Sequence, residues 1–70
     1  MNFVELYESC LEGKSRASFA ERSGLSTRMW SYVVTGQRGL SINVWRAMIA
    51  ACPEKAEEIN GWWLENVICS

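Results

Sequence analysis

The side chains of this chain that could do chemistry form a narrow set. The 70 residues contain no His, and every acidic residue is Glu, so acid–base and zinc chemistry lack their usual groups. The cysteines Cys10, Cys52 and Cys69 form no CxxC pair, and no glycine-rich phosphate loop is present. We therefore predict that the chain is not an enzyme and holds no metal or cofactor. We expect Cys10 and Cys52 to be buried as small apolar residues and Cys69 to be exposed.

The cationic side chains are concentrated in the middle of the chain. Residues 13–46 carry six Lys and Arg residues and a single acidic residue, Glu21, although the net charge of the whole chain is −1. The segments on either side are acidic. A basic patch between acidic ends is typical of a surface that attracts a polyanion such as nucleic acid, and a solvated charged face is the alternative.

The elements that must position these side chains are helices. Apolar residues recur at helical spacing and no strand pattern is present, which predicts an all-α bundle of about five short helices in one domain over residues 1–70. The predicted helices cover residues 2–12 with Asn2 and Glu5 as a capping box, 15–24 with Ser15 as N-cap, 27–35 with Ser26 as N-cap, 42–52 with Ser41 as N-cap, and a last segment of about 54–70. We expect Ile42, Trp45, Met48, Ile49 and Cys52 to form the inner face of the fourth helix. Ile59, Trp63 and Val67 should form one stripe along the last helix, which can bend or break at Gly61.

The second and third predicted helices meet the requirements of a helix-turn-helix. Ala20 is small where the helices must approach each other, and Gly24 tolerates the positive φ that the turn needs. Leu25, Trp30 and Val33 can anchor the second helix from behind. In such a motif the second helix can enter the major groove of duplex DNA.

Residues 16–36, RASFAERSGLSTRMWSYVVTG, resemble the helix-turn-helix of the phage repressor and Cro class, also called lambda-repressor-like or XRE-like. Residues 37–52 resemble the basic loop and packed helix that follow the motif in that family, so the resemblance covers roughly residues 15–52. Ala20, Gly24, Leu25, Ser26, Val33 and Gly36 carry it. The chain departs from the family at Trp30, where Val or Ile is usual, at Ser23, which is often apolar, and at Thr27, which replaces a frequent Gln.

The resemblance implies a compact lambda-repressor-like bundle that binds double-stranded DNA in a sequence-specific way and regulates transcription, most simply as a repressor. The base-reading candidates that it implies are Thr27, Arg28, Ser31, Tyr32 and Thr35, and the DNA-backbone candidates are Lys14, Arg16, Ser26, Gln37 and Arg38. Arg28 can pair bidentately with guanine, and a phosphate contact or a free surface position is its alternative. Tyr32 can touch a thymine methyl or a phosphate, or it can be a partly buried aromatic residue.

The family acts as two-fold dimers on palindromic sites, so the resemblance also implies a homodimer. Neighbouring helical positions point about 100° apart, and therefore only one of Trp62 and Trp63 can easily face a small core. We expect the segment of about 54–70 to form the dimer interface through Trp62, Trp63, Val67 and Ile68. Trp30 and Trp45 are expected in the core.

A second class of function stays open at this stage. Helix-turn-helix folds can also bind proteins, and acidic ends with exposed tryptophans would suit a protein-interaction module or an anti-repressor. No secretory leader and no apolar run long enough to cross a bilayer are seen, so we predict a cytoplasmic protein with no membrane partner. No small-molecule ligand is evident from the sequence.

Overall fold

The computed structural model describes residues 1–68, and these form an all-helical bundle without strands, as predicted. The elements in chain order are α1 (Phe3–Leu11), α2 (Arg16–Ser23), α3 (Thr27–Val34), α4 (Ile42–Ala51), a 3-10 turn (Pro53–Lys55), α5 (Ala56–Trp63) and a π-helical turn (Leu64–Ile68). None of the helices within residues 1–68 has both the length and the apolar character needed to cross a membrane. The prediction for Cys69 lies outside the described residues.

The predicted caps begin four of the helices. Asn2 and Glu5 form the reciprocal capping box, with both side-chain-to-backbone hydrogen bonds at 2.8 Å. The hydroxyls of Ser15, Ser26 and Ser41 each accept a hydrogen bond from the backbone N–H three residues further on. Each such cap satisfies an N–H that the helix itself cannot, and typically contributes about 1 kcal/mol.

An aromatic cluster joins the first three helices. Tyr7 of α1 stacks on Trp30 of α3 at a centroid distance of 5.4 Å, and Phe19 of α2 meets both rings edge-on at 5.4 and 5.1 Å. Trp30 is only 1% exposed, so its predicted core position is confirmed. The rest of the buried core consists of Leu6, Cys10, Ala20, Val33, Val44, Ala47, Met48, Ala51, Cys52, Ile59 and Trp63.

The inner face of α4 differs from the prediction. Met48 and Cys52 are buried as expected, but Ile42 is 60% exposed. The prediction was wrong for Ile42 because α4 packs chiefly against α2, and the residues that α4 buries include the small side chains of Ala47 and Ala51, which allow helices to approach closely. The buried face of the helix consequently begins at Val44, and Ile42 lies toward solvent.

The last segment is part of the monomer's own core. Gly61 lies inside an unbroken α5, and Trp63 is 1% exposed and stacks on the half-buried Trp45 at 5.9 Å. Trp62 is half-buried, packs against Phe3, and donates its indole N–H to the carbonyl of Met1 at 2.7 Å. This corrects the expectation for Trp63, because a side chain already enclosed in its own subunit has no surface to offer a second copy.

Candidate nucleic-acid interface

The turn between α2 and α3 has the form that the sequence requires. Gly24 ends α2 with φ of 82°, a left-handed conformation that glycine adopts without a steric penalty, and its N–H donates to the carbonyl of Ala20 at 3.1 Å. Two residues later the Ser26 hydroxyl caps α3 by accepting from the N–H of Met29 at 3.1 Å. The turn at residues 24–26 therefore sets where α3 begins and how it leaves α2.

A hydrogen bond across this turn joins α3 to the last residue of α2. The buried indole of Trp30 donates its N–H to the Ser23 hydroxyl at 2.8 Å. The same hydroxyl donates to the carbonyl of Ala20 at 2.8 Å and accepts from the N–H of Leu25 at 3.1 Å. Two of the three positions at which the sequence departs from the repressor pattern, Ser23 and Trp30, are thus partners. The sequence shows them seven residues apart, and only their meeting in space explains both.

The exposed face of α3 carries four of the predicted base-reading residues. Thr27, Arg28, Ser31 and Tyr32 are all exposed, and none of their side chains hydrogen-bonds to another residue among positions 1–68. Thr35 is also exposed, but its hydroxyl donates to the carbonyl of Ser31 at 2.8 Å. The structure therefore places Thr27, Arg28, Ser31 and Tyr32 on one exposed face with their side-chain polar groups free. The hydroxyl of Thr35 is instead used in a hydrogen bond to the last turn of α3.

The loop after α3 folds back onto that end of the helix. Gly36 has φ of 83°, and the carbonyl of Tyr32 accepts hydrogen bonds from the N–H groups of Gln37 at 2.9 Å and Arg38 at 3.1 Å. Both side chains are exposed beside the last turn of α3. The amide of Gln37 reaches the Thr35 hydroxyl at 3.3 Å. The loop thus places Arg38 beside the C-terminal end of α3.

The arginines and lysines behave differently. All five arginines are exposed, and none of them forms an ion pair or hydrogen bond within the part of the chain that the structure describes; they are Arg16, Arg22, Arg28, Arg38 and Arg46. Lys55 instead donates to the carbonyl of Ser9 at 2.9 Å and to the Ser9 hydroxyl at 2.6 Å. Its ammonium thereby satisfies a backbone carbonyl in the last turn of α1, where positive charge is favourable. Among residues 1–68, the cationic side chains that make neither an ion pair nor a hydrogen bond are therefore the guanidinium groups.

Lys14 does not fit its predicted role as a DNA-backbone contact. Its ammonium forms an ion pair with Glu54 at 2.7 Å, and its side chain is only 17% exposed. This hydrogen bond raises the pKa of Lys14, while Lys14 holds the pKa of Glu54 down at about 2. Lys14 consequently ties the loop after α1 to the 3-10 turn, and Glu54 neutralises the charge that a phosphate would need.

The two described cysteines are fully buried, as predicted. Burial raises the pKa of the Cys10 thiol to about 12, with the neighbouring Cys52 acting in the same direction, and burial also raises the pKa of Cys52. Both thiols are therefore protonated near neutral pH, and a protonated thiol is a poor nucleophile and metal ligand. No group of three or more His, Cys, Asp or Glu residues that could hold a metal occurs among residues 1–68.

No protein-family model, curated protein or solved structure gives a significant match to this chain. The arrangement of its own side chains is therefore the basis for assigning a function. That arrangement is a short helix with a polar outer face, anchored on a buried Trp and flanked by unpaired guanidinium groups at Arg16 and Arg38. Chemically, such a surface offers hydrogen-bond donors and positive charge to an extended anionic ligand.

Proposed function

We propose that this protein binds duplex DNA in a sequence-specific way and regulates transcription, with α3 as the helix that enters the major groove. The observation that carries the proposal is the outer face of α3, where Thr27, Arg28, Ser31 and Tyr32 are exposed with no side-chain partner in the chain described. The major groove is wide enough to admit one α-helix, and base edges are read there by side chains of these types.

The expected roles follow from where each side chain lies. Arg28, in the first turn of α3, can make the bidentate contact to guanine that is the commonest specific contact in the major groove. Tyr32, one turn further on, lies at the position to meet a thymine methyl or a neighbouring phosphate. Arg16, Gln37 and Arg38 lie beside the two ends of the helix, where contacts to the sugar–phosphate backbone would orient α3 without selecting sequence.

The proposal extends to a homodimer on a palindromic site, with the last segment as the interface. The monomer leaves Leu64 48% exposed and Ile68 59% exposed, whereas Trp63 is enclosed. Leu64 therefore takes the place of Trp63 among the interface candidates, beside Ile68. Two copies related by a two-fold axis would place their α3 helices in successive major grooves, about 34 Å apart. A dimer held on a promoter would repress transcription by blocking access to it.

The experiment that tests DNA recognition is selection of bound sites from a random duplex pool, followed by sequencing. We expect an enriched palindrome, and we expect Arg28→Ala to lose the base preference at one position of each half-site. Arg22→Ala is the matched control, because Arg22 is also exposed but lies near the C-terminal end of α2, outside the reading helix. If no motif is enriched and all binding disappears at moderate salt, the affinity is non-specific electrostatics and the proposal is wrong.

A further inference from the structure

A recess opens between α1, α2 and α3, next to the polar face of α3. Its volume is about 240 Å3, and it is lined by Tyr7, Arg16, Thr27, Trp30, Ser31, Val34 and Thr35. Four of these side chains end in hydroxyl groups and one in a guanidinium, whereas none is acidic. The Thr35 hydroxyl already donates to the carbonyl of Ser31, but the other polar groups can donate hydrogen bonds into the recess, and its only charged group is positive.

Tyr7 contributes a hydroxyl group to this recess. The residue is only 4% exposed, and its ring is enclosed by Phe19 and Trp30, so the hydroxyl end is what reaches the recess. That hydroxyl forms no hydrogen bond with any other residue of the chain as far as Ile68. No side-chain oxygen or nitrogen that is itself buried lacks a partner among the described residues, so this unbonded hydroxyl is the solvent-accessible end of the tyrosine. The hydroxyl of Tyr7 is thus available to a ligand.

Arg16 brings positive charge to the same place. It is the first residue of α2, it is exposed, and it has no ion-pair partner among the described residues. Arg16 and Tyr7 line the same recess. Burial raises the pKa of the Tyr7 hydroxyl, and the charge of Arg16 acts on it in the opposite direction. Tyr7 is therefore protonated near neutral pH and can donate its hydrogen bond alongside the guanidinium.

We propose that this recess binds one phosphate group of the DNA backbone, with the Tyr7 hydroxyl and the Arg16 guanidinium as its donors and with Thr27 and Ser31 at its rim. The inference rests on the proposed function, since the phosphate belongs to the duplex whose bases α3 would read. A phosphodiester fits because it is an anion with several acceptor oxygens and no donor. An apolar or cationic ligand would leave the donors unsatisfied.

The recess would make α3 sensitive to the position of the DNA backbone. Tyr7 stacks on Trp30, and Trp30 is the buried anchor of α3, so a phosphate held by Tyr7 is joined through two packed rings to the reading helix. Contacts of this kind set the depth and register of a helix in the groove without selecting sequence. We therefore assign Tyr7 as a positioning contact, although it lies on α1, outside the helix-turn-helix itself.

The test compares Tyr7→Phe and Arg16→Gln with the wild-type protein on the selected duplex over a range of salt concentrations. Tyr7→Phe keeps the ring and removes only the hydroxyl, so we expect roughly tenfold weaker binding on every sequence and an unchanged salt slope. Arg16→Gln should reduce the slope of log K against log salt by about 0.9. Arg22→Gln, which removes the same charge about 120° around α2, should leave the affinity within about twofold.

A second experiment uses inorganic phosphate in place of DNA. Titrated against chloride at constant ionic strength, it should shift the NMR signals of Tyr7 and Arg16 in the wild type, and the shift of the Arg16 signals should be lost in Tyr7→Phe. If wild type reads a motif and Tyr7→Phe binds as tightly as wild type, the recess proposal is wrong while the DNA-binding function stands. If the wild type selects no DNA motif but phosphate shifts both signals, the recess binds a free anion, and the proposal that it binds a phosphate of DNA is wrong. Thermal unfolding of each variant checks that it folds.

Discussion

The indole N–H of Trp30 donates to the hydroxyl of Ser23 at 2.8 Å, across the turn that joins α2 to α3. Trp30 is 1% exposed, so without Ser23 its N–H would be a buried donor with no partner. The Ser23 hydroxyl also bonds the carbonyl of Ala20 and the N–H of Leu25, and therefore holds the end of α2, the turn and the anchor of α3 together.

Ser23→Ala should accordingly destabilise the fold by about 1 to 3 kcal/mol, the cost of leaving a buried polar group unsatisfied. Urea unfolding followed by circular dichroism measures this change. Ser18→Ala is the matched control, because Ser18 is a half-buried serine on the same helix whose side chain makes no hydrogen bond among the described residues. It should change the free energy of unfolding by less than about 0.5 kcal/mol. Equal effects of the two variants would contradict the structural role of Ser23.

The ion pair between Lys14 and Glu54 should make the stability depend on pH in the acid range. The pKa of Glu54 is about 2 in the folded protein, below its ordinary 4.5, so the folded state binds a proton less readily than the unfolded chain. The stabilisation is present above pH 4.5 and is lost as the pH falls from there towards 2. The melting temperature of the wild type should therefore fall more steeply in this range than that of Glu54→Gln.

Glu57→Gln is the control for this pH dependence, because Glu57 is exposed and forms no ion pair in the described part of the chain. Its melting curve should follow the wild type through the same pH range. If Glu54→Gln follows the wild type equally closely, the ion pair contributes nothing measurable to stability.

Lys14 and Arg38 should differ in their effect on DNA binding, although sequence reasoning placed both on the DNA backbone. Arg38 is exposed and unpaired, so Arg38→Gln should weaken binding to all sequences and lower the salt slope by about 1. The charge of Lys14 is already neutralised by Glu54, so Lys14→Gln should leave the slope unchanged. Fluorescence anisotropy over a salt series measures both, and a reduced slope for Lys14→Gln would show that the lysine leaves Glu54 to bind phosphate.

Buried and exposed residues of the last segment should affect stability and dimerisation separately. Trp63 is enclosed in the core, so Trp63→Ala should destabilise the monomer by about 3 to 5 kcal/mol. Leu64→Glu and Ile68→Glu change exposed positions, and should lower the mass seen in sedimentation equilibrium from dimer to monomer while the helical content is kept. An unchanged mass in both Glu variants would end the proposal that this segment forms the dimer.

Much of the local structure could be predicted from the sequence. The capping residues Asn2, Ser15, Ser26 and Ser41 begin four helices at the predicted positions, and Gly24 ends α2 as expected. These features involve groups three or four residues apart, so the chain specifies them before any helix meets another. The exposed polar face of α3 follows in the same way, because its side chains alternate with buried anchors at helical spacing.

Other features depend on contacts between distant parts of the chain. Periodicity placed Ile42 in the core and left the partner of Lys14 open, and it could not tell which of Trp62 and Trp63 would face inward. The sequence by itself therefore determined where the helices begin, where they turn and which side chains α3 presents. Only the tertiary structure decided which charges are neutralised, which indole is enclosed and which hydroxyl is left without a partner. The physical reason is that burial and pairing depend on how helices rotate against each other, and that rotation is set by packing across the whole core.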